Sequence, residues 1–350
     1  MKHDLSRRDF LKIAGLSFGA LAFRPYYGNS SDLDDGEMIR ISTTNVSVYT
    51  QPWDESAILY QRYRDELVHV YYEVISDHGP SYNPLWYRVW GGYIHSAHTQ
   101  RVETRLNPVL ASVRETGQVG EITVPYTQAM RYIAKNKWEP IYRLYFESIH
   151  WITGVDQGPD GEPWYKLHDE LLQSDYFIPA VHIRPIADEE MSPIHPDVDP
   201  NDKRIVVSLS RQELAAFEGD KIVFQTKISS GTKDRRIDKT QITTETPIGE
   251  FHIQNKLPSK HMGDGRATSD TEAYELPGVP WTCFFEPKTG VALHGTYWHT
   301  NWGVQMSHGC VNLRTPDALW VYRWTNPITD PTKVNNIAMG TKVIVKNGDF

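Results

Sequence analysis

The sequence is poor in cysteine, in long apolar runs and in positive charge, and each shortage excludes a class of protein. Only Cys283 and Cys310 occur among 350 residues, so at most one disulfide can form and a disulfide-rich scaffold is excluded. The formal net charge of -8 provides no basic surface of the kind that nucleic acid binding usually requires. Hydrophobic residues at 39% and charged residues at 23% are typical of a folded globular protein.

The two cysteines are predicted to stay unpaired. A disulfide between Cys283 and Cys310 would consume the Cys310 thiol, which the residues around it mark as a candidate nucleophile. A chain of this length also needs no disulfide to fold. We therefore expect Cys283 to fill space in the core and Cys310 to remain a free thiol.

Residues 1–28 resemble a twin-arginine export signal. Arg7-Arg8 precedes Phe10-Leu11-Lys12 and an apolar run from Ile13 to Phe23, and Ala20-Leu21-Ala22 offers a cleavage site. The apolar run is shorter than the roughly 20 residues that span a bilayer. The pattern predicts export to the cell wall, the periplasm or the outer face of the membrane. A membrane tether through an uncleaved signal stays open.

Two β-rich segments are expected to follow a small polar linker at residues 29–36. Short runs of Val, Ile, Tyr and Trp alternate with turn residues, as in small β-barrels. Tyr49-Thr50-Gln51 is echoed by Tyr126-Thr127-Gln128, and Trp86-Tyr87-Arg88-Val89 by Trp164-Tyr165-Lys166-Leu167. The nearly equal offsets predict a first β module at 37–108 and a second β module at 109–186.

Both modules resemble bacterial Src-homology-3-like domains, the first more closely than the second. In that family such modules often hold enzymes on cell-wall peptides, which makes Trp86, Tyr93 and Trp164 candidate binding aromatics. Aromatic residues on strands are also common core residues, and this alternative stays open. Residues 187–202 are dense in proline and acids and are predicted to form a stiff linker.

A C-terminal domain is predicted at residues 203–347. Arg204 to Leu209 and Lys221 to Phe224 indicate a hairpin with its turn at Gly219-Asp220. The stretch from Leu257 to Pro280 is rich in Gly and Pro and is expected to be a long loop, a candidate lid over a cleft.

The chemistry concentrates in two short segments of this domain. His294-Gly295-Thr296 follows an apolar run, and thirteen positions after His294 the sequence reads Ser307-His308-Gly309-Cys310-Val311-Asn312-Leu313-Arg314. A thiol becomes an effective nucleophile near neutral pH when an imidazole takes its proton, and the pair can then attack a carbonyl to form an acyl-enzyme. Zinc is the alternative use of Cys and His, but one Cys without a second ligand pair does not favour a structural site.

This arrangement is similar to the YkuD-type L,D-transpeptidase family, whose hallmark is a His followed by Ser/Thr-His-Gly-Cys-x-Asn. The resemblance includes Thr246-Pro247-x-Gly-x-Phe and His294-Gly295-Thr296. It implies that Cys310 is the nucleophile, that His294 is its base, and that the Gly295 carbonyl orients the imidazole. The amides of Gly309 and Cys310 are the candidate oxyanion donors. His308 is expected to shape the turn or to contact substrate.

Substrate binding is predicted for a second group of residues. The Arg314 guanidinium suits a carboxylate of a peptidoglycan stem peptide, and Asn312 is expected to fix the loop. Ser307 and Trp298 are further candidates, and Trp298 with Tyr297 and Trp302 either walls the cleft or packs. Thr315-Pro316-Asp317 predicts an N-cap at Thr315 and a helix from Ala318 to Trp324.

The sequence thus predicts a mainly β protein: two tandem Src-homology-3-like barrels, then a β-rich L,D-transpeptidase domain with few helices. The resemblance implies peptidoglycan stem peptides as partners, a two-step acyl transfer that cross-links them, and no metal or organic cofactor. Three alternatives stay open: an L,D-carboxypeptidase with the same cysteine, a non-catalytic wall-binding protein, and a cysteine protease acting on ordinary proteins.

Overall fold

The computed structural model describes residues 37–134, 137–233, 244–271 and 274–350. The predicted signal at 1–28 and linker at 29–36 lie outside these residues. The described part is mainly β, which confirms the predicted fold class. No helix within it is long and apolar enough to span a bilayer.

The first β module consists of a three-stranded and a five-stranded sheet. The strand orders are β4-β1-β8 and β3-β2-β7-β6-β5. The strands are β1 Met38–Ile41, β2 Asn45–Tyr49, β3 Ile58–Tyr63, β4 Leu67–His69, β5 Tyr72–Ile75, β6 Leu85–Val89, β7 Gly92–His95 and β8 Thr99–Val102. The side chains that alternate inward along them form one buried cluster, which includes Ile39, Val48 and Tyr87.

The second β module forms one seven-stranded antiparallel sheet of order β11-β10-β14-β13-β12-β9-β15. Its strands are β9 Gln118–Ile122, β10 Tyr126–Ala134, β11 Lys137–Tyr145, β12 Ile149–Gln157, β13 Pro163–Asp169, β14 Ser174–Pro179 and β15 Ile183–Pro185. It has its own buried cluster, which includes Ile122, Leu144 and Ile178.

The two repeated Trp-Tyr motifs occupy equivalent places in these modules. Each lies on the first strand of a hairpin, β6 with β7 and β13 with β14. A three-residue 3₁₀ helix follows each hairpin, Ser96–His98 and Ala180–His182, and the next strand pairs with the first strand of its module. Trp86 and Trp164 are buried and Tyr93 is half-buried. The assignment of both modules to the Src-homology-3-like class stays a prediction.

The described residues of the C-terminal domain form two five-stranded sheets, ordered β18-β17-β16-β25-β19 and β23-β22-β21-β20-β24, and one α-helix. The elements are β16 Lys203–Ser208, β17 Glu213–Glu218, β18 Lys221–Lys227, β19 Gly249–His252, β20 Asn255–Gly263, β21 Glu275–Glu286, β22 Val291–Gly295, β23 Val311–Leu313, α1 Thr315–Trp324, β24 Asn336–Ile337 and β25 Lys342–Lys346. Residues such as Val207, Leu293 and Val321 fill the core between the sheets and the helix.

Three local predictions in this domain are wrong in detail. The expected hairpin is a three-stranded meander, because β17 lies between the two predicted strands and itself pairs with β18 across the Gly219-Asp220 turn. The predicted loop from Leu257 to Pro280 is largely the β20–β21 pair. Helix α1 begins at Thr315 with Arg314 as its N-cap, and no side chain caps it.

The segment 187–202 packs against the domains that it joins. It contains the 3₁₀ helices Asp188–Met191 and Pro200–Asp202. Met191 is buried in the same core cluster as Trp151 of the second β module and Val207 of the C-terminal domain. An apolar side chain that is buried between both neighbours makes this segment part of a shared core, which proline and acid content did not indicate.

A buried ionic cluster joins the three parts of the chain. Arg40 of the first module pairs with Asp65 at 3.0 Å, and the other Asp65 oxygen lies 2.5 Å from Arg143 of the second module. Arg40 also donates to the Tyr297 carbonyl oxygen of the C-terminal domain at 3.3 Å and lies over the Tyr145 ring. Paired buried charges of this kind fix the relative position of the elements that carry them.

Candidate active site

The predicted base, His294, lies on β22, and the predicted nucleophile, Cys310, directly precedes β23, the parallel neighbour of β22. β22 pairs with β23 so that Leu293 faces Val311 and His294 faces Asn312. Because Leu293, Val311 and Leu313 point into the core, the alternation of side chains turns His294, Cys310 and Asn312 to the opposite face. All three line one cavity of about 720 Å³.

His294 is buried and held in one orientation. Its Nδ1 donates to the carbonyl oxygen of Gly295 at 2.8 Å, which leaves Nε2 as the nitrogen able to accept a proton. Burial lowers the pKa of His294 to about 4, and the bond to Gly295 opposes this shift only in part. The imidazole is therefore neutral near pH 7, as a general base must be.

Cys310 is a free, half-buried thiol. Its Sγ lies 3.7 Å from the Gly290 carbonyl oxygen, and burial raises its pKa to about 11. The thiolate is therefore a small fraction at neutral pH. Cys283 is also free and is fully buried in the core, which confirms that the two cysteines do not pair.

Hydrogen bonds within the turn before Cys310 fix its shape. Ser307 Oγ donates to the Cys310 carbonyl oxygen and accepts from the Gly309 amide at 3.2 Å. Gly309 has φ +124, a left-handed value that favours glycine. The Ser307 hydroxyl is thus used within the turn. The Gly309 amide, one of the two predicted oxyanion donors, is bonded to that hydroxyl in this state.

Two segments outside the motif hold this turn from behind. Thr246 Oγ1 donates to the Gly309 carbonyl oxygen at 2.8 Å and accepts from the Gly231 amide at 2.8 Å. The chain just after β18 also bonds to the motif, since Ser229 exchanges two backbone hydrogen bonds with Asn312. The role of Thr246 was visible in the sequence only as part of the Thr-Pro-x-Gly-x-Phe resemblance.

Asn312 and His308 take different positions around the thiol. Asn312 is buried, and its Nδ2 lies 2.9 Å from Nε2 of buried His299, a residue that carried no sequence signal. His308 is exposed at the cavity edge, and its ring meets that of Tyr274 at 5.8 Å. Trp298 lines the cavity with its ring 5.8 Å from that of His294, whereas Tyr297 and Trp302 are buried.

Arg314 does not line the Cys310 cavity. It lies over Trp302, 3.6 Å from Asp317, and lines a second cavity of about 420 Å³ with residues of the first β module. The Cys310 cavity is instead lined in part by side chains of the two β modules, which the motif could not indicate. These are Ser42 and Arg64 of the first module and Leu171 of the second.

The described residues contain no group of three or more His, Cys, Asp or Glu side chains that could hold a metal ion. The arrangement of a free thiol, a neutral oriented imidazole and a turn rich in backbone amides is one that can carry acyl transfer.

The C-terminal domain is similar in sequence to a known protein family. Residues 202–345 match the YkuD family model, the L,D-transpeptidase catalytic domain. YkuD domains are cysteine-dependent L,D-transpeptidases. No curated protein sequence matches the chain.

Solved L,D-transpeptidases are also similar to this chain. One from Mycobacterium smegmatis has 23% identity and a TM-score of 0.32, over 41% of this chain and 58% of its own. One from Enterococcus faecium has 24% identity and a TM-score of 0.30, over 43% of this chain and 52% of its own. One from Xylanimonas cellulosilytica has 22% identity and a TM-score of 0.30, over 41% of this chain and 60% of its own. The chain thus spans little more than half the length of these structures.

Proposed function

We propose that this protein is a peptidoglycan L,D-transpeptidase that cross-links stem peptides through an acyl-enzyme on Cys310. The observation that carries the proposal is the shared cavity, into which Cys310 and the oriented imidazole of His294 both project. The match of residues 202–345 to the YkuD family supports the reaction class.

In the first step Cys310 Sγ attacks the carbonyl that precedes the terminal D-residue of a tetrapeptide stem. The thiol proton passes to His294 Nε2, which is the free nitrogen because Nδ1 is bonded to Gly295. His294 then protonates the leaving amine, the C–N bond breaks, and a thioester remains on Cys310. The high pKa of Cys310 and the low pKa of His294 favour proton transfer during attack over a preformed thiolate.

In the second step the side-chain amine of another stem attacks the thioester. The amine loses a proton to His294, the C–S bond breaks, and the proton returns to the Cys310 thiol. The product is an amide cross-link. Water in place of the amine would give an L,D-carboxypeptidase with the same first step, so the two activities differ only in the second nucleophile.

We also propose export by the twin-arginine route, since stem peptides lie outside the cytoplasm. Arg7-Arg8 and the apolar run that follows support this. Replacing Arg7-Arg8 by Lys-Lys in the full chain should leave the protein in the cytoplasmic fraction. Secretion of that variant at the parent level would contradict the twin-arginine route.

The test of the catalytic proposal incubates the chain with disaccharide tetrapeptide and identifies products by mass spectrometry. The proposal expects a cross-linked dimer with the parent and with Cys283→Ala, whose cysteine is buried away from the cavity, and none with Cys310→Ala. Tripeptide without dimer would assign the carboxypeptidase. Absence of any product or adduct from the folded parent would favour a wall-binding protein, and cleavage of ordinary proteins instead would favour a protease.

A further inference from the structure

The second β module reaches the wall of the Cys310 cavity through the turn between β13 and β14. Glu170 Oε1 accepts hydrogen bonds from the Lys260 ammonium and from the His261 amide, both at 2.7 Å. Leu171, from the same turn, lines the cavity, and Gly265 of the C-terminal domain lies against it. The turn is therefore docked on strand β20, at the wall of the cavity that Cys310 also lines.

A buried histidine joins the second β module to the C-terminal domain at this contact. His261 Nδ1 lies 2.8 Å from Asp169 Oδ2 of the second module, and Nε2 lies 2.7 Å from Glu275 Oε2 of β21. The side chains of all three are at most 4% exposed. Two buried carboxylates on opposite ring nitrogens favour the imidazolium, because only that form donates from both nitrogens.

The remaining carboxylate oxygens hold two parts of the cavity wall. Asp169 Oδ1 accepts from the amides of Leu171 and Leu172, both at 3.0 Å. Glu275 Oε1 accepts from the Arg266 amide at 2.6 Å, and Glu275 is the chain neighbour of Tyr274. Tyr274 in turn faces His308, two residues before Cys310.

The β20–β21 ladder is irregular opposite this histidine. Lys260 pairs with Val279 and Met262 with Leu276, so Pro277 and Gly278 form a bulge across from His261. Gly278 has φ +77, and an added Cβ would lie 2.3 Å from the His150 ring. Bulges bend a strand and redirect its side chains, which here lets Glu275 reach His261.

We infer that His261 is a positioning residue for the reaction at Cys310, and that the second β module completes the reaction cavity through the Asp169–His261–Glu275 cluster. The inference rests on the proposed function, since it assigns the cluster to the same cavity. His261 acts through Asp169 on Leu171 and through Glu275 on its chain neighbour Tyr274, and it has no hydrogen bond to the thiol among the described residues.

The charges around His261 give the cluster a pH dependence of defined sign. Burial alone would lower the pKa of His261, but the hydrogen bond to Asp169 and its charge, followed by those of Glu275, raise it. The Tyr142 ring also faces it, His150 lies behind Asp169, and Glu170 and Lys260 pair beside it. Below the ordinary His pKa the protonated His261 holds both carboxylates of the Asp169–His261–Glu275 cluster. As pH rises through the raised pKa of His261, the ring loses its proton and the cluster weakens.

The experiment compares alkylation of Cys310 in the full chain by iodoacetamide and by the bulkier N-phenylmaleimide. The ratio of the two rates reports the opening of the cavity, because both reagents depend alike on the thiolate fraction. Peptide mapping separates Cys310 from Cys283. Alkylation requires no turnover, so the inference can be tested even if the parent forms no product from tetrapeptide.

We expect His261→Gln and Asp169→Asn each to raise the maleimide-to-iodoacetamide ratio about fivefold, a usual size for the effect of a substitution on a site that it does not contact. The control is His168→Gln. It removes the half-buried pair of His168 with Asp175, next to Asp169 on β13, and should leave the ratio unchanged. Folded variants with the parent ratio would overturn the inference. A ratio raised equally by His168→Gln would do so too.

A pH series on the parent remains informative if the variants do not fold. The ratio should rise with pH as His261 loses its proton, and it should stay flat in any variant of His261 that folds. A constant ratio in the parent across the titration would overturn the inference. With substrate, His261→Gln should raise KM more than it lowers kcat, because it loosens the binding wall and leaves Cys310 and His294 in place.

Discussion

His294 donates a hydrogen bond to the carbonyl oxygen of the next residue in the chain, with 2.8 Å between His294 Nδ1 and the Gly295 oxygen. Orientation by a neutral backbone carbonyl fixes the tautomer without adding charge. A carboxylate in that place would raise the imidazole pKa, whereas here burial keeps it near 4. The site therefore holds a base that is neutral throughout the physiological range.

Replacement of this base is predicted to slow the chemistry and to spare binding. His294→Gln should lower kcat roughly 10²- to 10⁴-fold, the usual contribution of a general base, with little change in KM. Steady-state assays with disaccharide tetrapeptide measure both. His78→Gln, which changes an exposed histidine of the first module, should match the parent. A kcat for His294→Gln within a factor of a few of the parent would contradict the assignment.

The reactivity of Cys310 should follow its raised pKa. Because burial favours the neutral thiol, the thiolate fraction is small at neutral pH and grows with pH toward about 11. Iodoacetamide alkylation of Cys310 should therefore keep accelerating from about pH 7 to about pH 10. A rate that reaches its plateau below about pH 8 would instead indicate a preformed thiolate.

Thr246 is predicted to stabilise the nucleophile turn from behind. Thr246→Val removes the hydroxyl and leaves the Gly231 amide and the Gly309 carbonyl buried without that partner, which should cost about 1–3 kcal/mol of unfolding free energy. Activity should fall as well, because Gly309 adjoins the nucleophile. Urea unfolding and product formation provide the two measurements.

Thr153→Val is the matched control for that change, since Thr153 lies exposed on β12. Its stability should stay within about 0.5 kcal/mol of the parent. Equal effects of the two substitutions would show that the Thr246 hydrogen bonds contribute nothing specific.

Glu147 is predicted to lower stability at high pH. Burial, with smaller effects from the charges of Glu121 and Glu103, raises its pKa to about 7, and the nearby Thr315 side chain opposes the shift only in part. The folded state therefore prefers the protonated acid, and stability is lost as pH rises from the ordinary Glu value through about 7. Glu147→Gln should raise Tm more at about pH 8 than at about pH 5. Exposed Glu162→Gln should change Tm equally at both, and a pH-independent effect of Glu147→Gln would refute the shift.

The sequence was most informative where function depends on neighbouring residues. The Ser307 to Arg314 run and the apolar run before His294 are local patterns that can be read along the sequence, whereas the register that brings His294 opposite Asn312 is known only from the structure. The helix after the motif was also expected, though its start was misplaced because Arg314, not Thr315, occupies the cap. Mainly β structure followed from the short runs of β-branched and aromatic residues.

Features made by distant residues could not be predicted in this way. The stretch from Leu257 to Pro280 suggested a loop because of its Gly and Pro, yet the bulge at Pro277 and Gly278 accommodates them within a strand. Arg314 is predicted to bind substrate, and this stays a prediction; that its side chain lines another cavity, together with residues of the first β module, could not be read from the motif. Asp169 is far from His261 in sequence, so neither residue indicated the other.

The most direct test of the central claim is the mass of the chain during turnover. Rapid quenching after mixing with disaccharide tetrapeptide should reveal an adduct equal to the whole donor, disaccharide included, without its terminal D-residue, and peptide mapping should place it on Cys310. Cys283→Ala should carry the same adduct and Cys310→Ala none. An acyl adduct on any other residue, or cross-linked product from folded Cys310→Ala, would contradict the account.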